Sequence, residues 1–172
     1  MSRKTNRLVE YLERLRDKKD TAALAKLRRG LGKTKGTPEM YPYVVRFIED
    51  EWKADERAFL VASLFALHPD PAPEDFSMGH VFSRIQRVQQ TDSIEKRFVR
   101  LLEADIEDVG HHLRQAVTLA KSKQIAVDYH KLIRDLKYWD HDERFVQMAW
   151  ARDFWGKSND GTSDNTQEGD DK

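Results

Sequence analysis

Apolar side chains recur along most of this chain at the three- and four-residue steps of an α-helix, and no stretch alternates in the two-residue step of a strand. In the first run Leu8, Tyr11, Leu12 and Leu15 share one face, while Arg3, Arg7, Arg14, Arg16, Lys18 and Lys19 spread around the rest. A short second helix over 21–29 ends at Gly30, and GLGKTKG, 30–36, reads as a flexible basic loop. Residues 43–52 and 58–67 read as two buried helices. The stretch 68–76, HPDPAPEDF, holds three of the five prolines and reads as a connector. Beyond it the same periodicity predicts helices over 78–90, 94–104 and 106–123. Ser2, Asp20, Thr37 (ahead of Pro38), Asp55, Ser77, Ser93 and Asp128 are the candidate N-caps.

The segment 125–156 is the richest in rings, with Trp139, Trp150 and Trp155 among the four tryptophans of the chain. Asp128 caps a helix whose Leu132, Ile133, Leu136 and Trp139 form one apolar face. A second helix carries Phe145, Val146, Met148, Ala149, Phe154 and Trp155 and stops at Gly156, where a positive φ would end it. Rings of this size predict a buried closing hairpin. The expected fold is all-α, a two-lobed helical bundle with lobes at 1–67 and 77–156 joined by the connector 68–76. The last stretch, 157–172, has no large apolar residue and an acidic excess, so it is expected to be disordered.

Charge sharpens this picture. The totals of 30 basic and 30 acidic residues cancel, but residues 1–35 hold twelve Lys and Arg against four Asp and Glu, a net of +8. Residues 156–172 hold two against five, a net of −3. Fields act within a Debye length of about 8–10 Å, so a neutral total does not oppose polyanion binding at the basic end. The absence of cysteine excludes disulfides and thiolate metal sites, and no apolar run reaches the length of a membrane span. A cytoplasmic protein, without membrane association, is expected.

Two clusters carry candidate chemistry. Leu27-Arg28-Arg29-Gly30, with Lys33 and Lys35 beyond, combines guanidinium forks that suit phosphate oxygens with a loop that admits a close backbone. Its alternative is favourable capping of a helix C-terminus by cations. In Lys96-Arg97-Phe98-Val99-Arg100-Leu101-Leu102 the apolar residues form a buried stripe and Arg97 and Arg100 share an outer face, with Arg114 one helix later. Its alternative is a solvated face laced by Glu95, Glu103 and Asp105. Gly79, opening a helix after Ser77-Met78, suits close helix packing. His111 and His112 point about 100° apart on a helix, and His141-Asp142 falls in a polar turn, so no metal site is expected. Nucleotide-loop, serine-hydrolase and zinc-protease motifs are absent. Neither an enzyme nor a cofactor is expected.

Asp128-Tyr129, Leu132, Asp135-Leu136 and Trp139, followed by Trp150-Ala151-Arg152-Asp153-Phe154, together resemble the C-terminal block of the CasB family, the small subunit of the type I-E CRISPR surveillance complex Cascade. Leu27-Arg28-Arg29 and the 96–102 run are similar to further elements of that family; Lys96 and Gln115 stand where the family pattern has arginine. The resemblance implies a non-catalytic subunit that steadies the guide RNA–target heteroduplex and the displaced DNA strand. The implied partners are CRISPR RNA, target DNA, the backbone and large subunits of Cascade, and a second copy of itself. Sequence would be read by base pairing, leaving this subunit phosphate contacts alone. The implied nucleic-acid residues are Arg28, Arg29, Lys33, Lys35, Lys96, Arg97, Arg100 and Arg114, whereas Trp139, Trp150 and Trp155 would be structural. The competing reading is a helical adaptor whose basic N-terminus meets an acidic protein.

Overall fold

The computed structural model describes residues 4–156, so the expected Ser2 cap and the expected disorder of 157–172 lie outside the described residues. Among these residues the chain forms nine α-helices and no strand: α1 (Arg7–Asp17), α2 (Thr21–Arg28), α3 (Tyr41–Val44), α4 (Ala54–Leu67), α5 (Met78–Gln89), α6 (Asp92–Glu103), α7 (Val109–Ser122), α8 (Tyr129–Leu136) and α9 (Phe145–Trp155). Asn6 caps α1 by accepting from the Val9 N–H, Asp20 caps α2 through Ala23, and Asp128 caps α8 through Lys131. At α5 the Ser77 hydroxyl accepts from the His80 N–H while the His80 ring accepts from the Ser77 N–H, a capping box with histidine in the usual carboxylate position.

Other expected caps differ. Asp55 lies inside the first turn of α4, which begins after Lys53 in left-handed backbone at φ 55°. Thr37 makes no capping bond, and Ser93 sits within α6, where its hydroxyl meets Thr91 instead. The helix expected over 43–52 is broken. α3 has four residues, one 3-10 turn covers Val45–Phe47, and Ile48 is extended at ψ 121°. Continuing it would place Glu49, Asp50 and Glu51 against the negative end of the helix dipole. Glu51 instead accepts from Lys137 on one side, at 2.8 Å, and Arg57 on the other, at 3.3 Å. Trp52 is left 63% exposed.

α4 is the axis of the core. Ala58, Phe59, Val61, Ala62, Leu64, Phe65 and Ala66 are all buried, so the helix is covered on nearly every side. α1 and α2 pack on it from one half of the chain and α7 and α8 from the other. The Tyr129 hydroxyl at the start of α8 reaches the carbonyl of Leu64 at 2.9 Å and of His68 at 2.8 Å, and its ring lies 5.3 Å from Phe65. α5 packs against α9, α6 and α7. Gly79 makes the α5–α9 approach possible, since an added Cβ would stand 2.1 Å from the Trp150 carbonyl oxygen. Packing therefore joins helices across the proline-rich segment, and one continuous apolar cluster runs from Leu8 to Trp150.

Trp139 and Trp150 are 1% and 0% exposed, with ring centroids 4.9 Å apart. Their indole N–H groups are satisfied by the Ala104 carbonyl at 2.9 Å and the Asp135 carboxylate at 2.8 Å. The outer face of α9 departs from expectation: Phe145, Met148 and Trp155 are 43%, 54% and 47% exposed. α9 is apolar nearly all round; Val146, Gln147 and Trp150 are buried, while Phe154 and Trp155 touch the core at the Phe98 ring. Gly156 closes α9 in extended backbone, φ −66° and ψ 162°, rather than in the left-handed region expected of it.

Candidate nucleic-acid interface

α7 is the spine of the basic surface. Leu113, Ala116, Val117 and Ala120 fix it to the core, which turns His111, Arg114, Gln115, Thr118, Lys121 and Ser122 outward. Three grooves border it. Between α6 and α7, Arg97 and Arg100 face Arg114 across a floor that includes Phe82, with His111, His112 and Thr118 on the walls. At the N-terminal end of α7, the loop Gly30–Thr34 brings Lys33 to the other side of Arg114. At its C-terminal end, Arg28 of α2 shares a groove with Lys121.

Local structure explains the convergence. Phe98 and Leu101 are buried, so helical geometry places Arg97 and Arg100 on the flank turned to α7. Gly32 has φ 79°, and a Cβ there would lie 2.9 Å from Arg114 Nη1, so glycine lets the loop lie against that guanidinium. Arg28 occupies the last turn of α2 and points away from buried Leu27.

Two of the three acidic neighbours named for this face, Glu95 and Asp105, are engaged elsewhere, and the third, Glu103, pairs with none of these cations. Glu95 accepts from the Trp155 indole at 3.0 Å, and Asp105 accepts the backbone N–H groups of Glu107 and Asp108 at 3.0 Å each. Among the described residues, Arg28, Lys33, Arg97, Arg100, Arg114 and Lys121 have no carboxylate within ion-pair distance. Other cations beside the band differ. Lys53 is bonded to Glu107, which together with Glu56 holds its amine above the ordinary lysine range, and Arg57 is tied to Glu51 and the Trp52 carbonyl.

Of the eight residues singled out in the sequence, Arg97, Arg100 and Arg114 share one groove, Lys33 joins Arg114 in the next, and Arg28 lies in the third. Arg29 points elsewhere and pairs with Glu39 at 3.2 Å. Lys35 and Lys96 are exposed and line none of the three grooves. Lys121 was missed. It stands seven residues after Arg114, two helical turns along the same outer face, so periodicity could have found it.

The histidines divide into two kinds. His130 is buried, accepts the Asn6 N–H on Nδ1 at 3.0 Å and meets Glu13 through Nε2; His68 is buried against the Ile125 carbonyl. These two tie distant parts of the chain together. His111 and His112 lie edge to face, 5.6 Å apart, and among the described residues no group of three or more His, Asp or Glu is placed to hold a metal ion. No described helix is long and apolar enough to cross a membrane.

Known proteins share this fold. A scan against protein-family models matches residues 23–155 to the family described as CRISPR-associated protein Cse2. The Cse2 protein of Thermus thermophilus is 38% identical over 157 residues, which is 87% of this chain and 89% of that protein. The crystal structure of a Cse2-family protein from Thermus thermophilus aligns with TM-score 0.78 and 35% identity, over 91% of this chain and all of the other. CasB from M. ruber aligns with TM-score 0.68 and 30% identity over 85% of this chain and 90% of its own. A chain of a CRISPR RNA-guided surveillance complex aligns with TM-score 0.71 and 27% identity over 86% and 88%. The family match spans most of the chain, and on that agreement of sequence and fold the chain belongs to the CRISPR-associated Cse2 family, which includes the CasB proteins.

Proposed function

We propose that this protein is a non-catalytic cytoplasmic subunit of a CRISPR RNA-guided DNA surveillance complex, in which it steadies nucleic acid through phosphate contacts. The observation that carries this reading is the band of unpaired cations that α2, α6 and α7 bring to the two sides of one helix. Unpaired guanidinium groups are free to form charge-assisted bonds with phosphate oxygens, and a partner strand loses no internal ion pair by displacing them. Support comes from the relative found within a surveillance complex. The ligands would be the guide RNA–target heteroduplex and the displaced strand, read by base pairing and gripped here by backbone. The exposed ridge of Phe145, Met148 and Trp155 favours a protein neighbour as well, such as a backbone or large subunit or a second copy. A protein-only adaptor would need that ridge but not the band.

Reversing Arg28 and Arg100 to glutamate tests the reading, since the two lie in different grooves and neither has an internal partner. Two phosphate contacts at roughly 1 kcal/mol or more each predict at least tenfold weaker target binding at fixed salt by the reconstituted complex. Guide RNA retention changes less. If about four to six phosphates are engaged, the logarithm of affinity falls against the logarithm of salt with slope near −3 to −5. Unchanged affinity in a normally assembled complex would falsify the band and leave the adaptor ahead.

A further inference from the structure

The band holds cations that the described residues leave unneutralised, and the part of the chain with the opposite excess begins nearby. Residues 157–172 carry Asp160, Asp164, Glu168, Asp170 and Asp171 against Lys157 and Lys172, a net of −3. The family match ends at residue 155, and the Thermus thermophilus structure is covered along its whole length by 91% of this chain. The shared fold therefore does not require the acidic segment.

Its starting point is set by α9. The Trp155 indole bonds to Glu95 of α6, and its ring lies 5.3 Å from that of Phe98 at a tilt of 47°. Arg97, which lines the α6–α7 groove, lies between those two residues in the same helical turn. The described chain thus ends beside α6, the helix that carries Arg97 and Arg100. At about 3.5 Å per residue, sixteen residues reach at most about 55 Å. All five carboxylates come within reach. A tether of this length holds them at an effective concentration in the millimolar range.

We propose that 157–172 is an internal polyanion that occupies the Arg97–Arg100–Arg114 groove and competes with nucleic acid for it. The proposal rests on reading the band as a nucleic-acid surface. Its carboxylates accept from guanidinium groups that lack a partner elsewhere in the described fold. A loosely held stray strand then loses to the tethered acid, whereas a strand positioned by the rest of a complex displaces it. Like phosphate contacts, the tether weakens as salt rises.

The test compares the full chain with one ending at Gly156 and with a full chain carrying D160N, D164N, E168Q, D170N and D171N. A fluorescent single-stranded oligonucleotide, titrated at low salt, is expected to bind both altered forms about three- to tenfold more tightly, the gap closing toward 0.5 M salt at about the rate set by ion release. In the free full chain, carbodiimide is expected to link tail carboxylates to Lys33, Lys96 or Lys121 within one monomer, and added oligonucleotide to suppress those links. Salt-dependent binding that is equal in all three forms, or links confined to lysines far from α6 and α7, overturns the tail's role alone. Binding by none of the three overturns the reading of the band, and the competition with it.

Discussion

The closing hairpin and the basic band are built from the same kind of helix and serve opposite ends. In the hairpin, Trp139 and Trp150 are buried, packed ring on ring, and each indole N–H has an acceptor. In the band, Arg97, Arg100 and Arg114 face solvent and have no carboxylate partner among the described residues. A buried ring is held by everything around it, so its position is over-determined by packing. An exposed guanidinium is held by nothing but its helix, and its free donors are available to an outside anion. The residues that make the chain recognisable are therefore not the ones proposed to do its work.

Breaking the hairpin should have the largest effect. Trp150→Ala removes a fully buried ring and takes the indole donor from Asp135 Oδ2, leaving that carboxylate only its Lys131 partner, so it is expected to cost about 3–5 kcal/mol, read as a lower midpoint in urea or thermal melts. A variant that keeps its melting point but fails to assemble would turn that ring into an interface anchor.

Tyr129→Phe comes next. It strips two carbonyls of their shared donor, an expected loss of about 1–3 kcal/mol at neutral pH. Burial, with Asp70 nearby, pushes this phenol well above its ordinary range. Unfolded tyrosine ionises near pH 10 while the folded group keeps its proton, so this stabilisation is intact below about pH 10 and is lost as pH climbs further. Melting points followed from pH 8 to 11 should fall more steeply for the unaltered protein than for the phenylalanine variant. Parallel curves would remove Tyr129 from the alkaline transition.

Trp155→Ala sharpens the comparison within one helix. This ring is half exposed, keeps one bond to Glu95 and packs against Phe98, so its loss should cost roughly 1–2 kcal/mol, less than Trp150→Ala. Equal losses at the two positions would show that the outer face of α9 is buried in solution.

The smallest effect separates neighbours in the band. Arg28 shares a groove with Lys121, while Arg29 is paired with Glu39 and points away. Arg28→Ala is expected to reduce affinity for an oligonucleotide several-fold and to flatten the salt slope by about one, with Arg29→Ala near neutral. The reverse order would move the surface to the far side of α2.

Much of this fold is legible in the chain. The helices around Leu12, Ile85, Phe98, Val117 and Trp139 follow from apolar spacing, and Asp20, Ser77 and Asp128 mark starts that side-chain capping confirms. Gly79 reads as a close-packing position because little else explains a glycine in the first turn of a helix, and it meets the Trp150 carbonyl. The helix expected through Trp52 fails where three successive acids and two bridging cations outweigh propensity. The outer rings of α9 are misjudged because a helix apolar on both faces has no period from which to choose the buried side.

The site was legible only in part. Charge and spacing select Arg97, Arg100 and Arg114, but whether Glu95 and Asp105 neutralise them depends on where Trp155 and the turn after α6 come to rest. Arg28 and Arg29 are equivalent in sequence; Glu39, brought back by the loop, separates them. What the sequence by itself determined is the all-helical character, most of the buried faces and the local excess of charge, because these depend on residues a few positions apart. Only the tertiary structure decided that α7 and α8 pack on α4, that α2, α6 and α7 share one basic surface, and which charges stay unpaired there. Those outcomes depend on contacts between residues tens of positions apart, which helical periodicity does not encode.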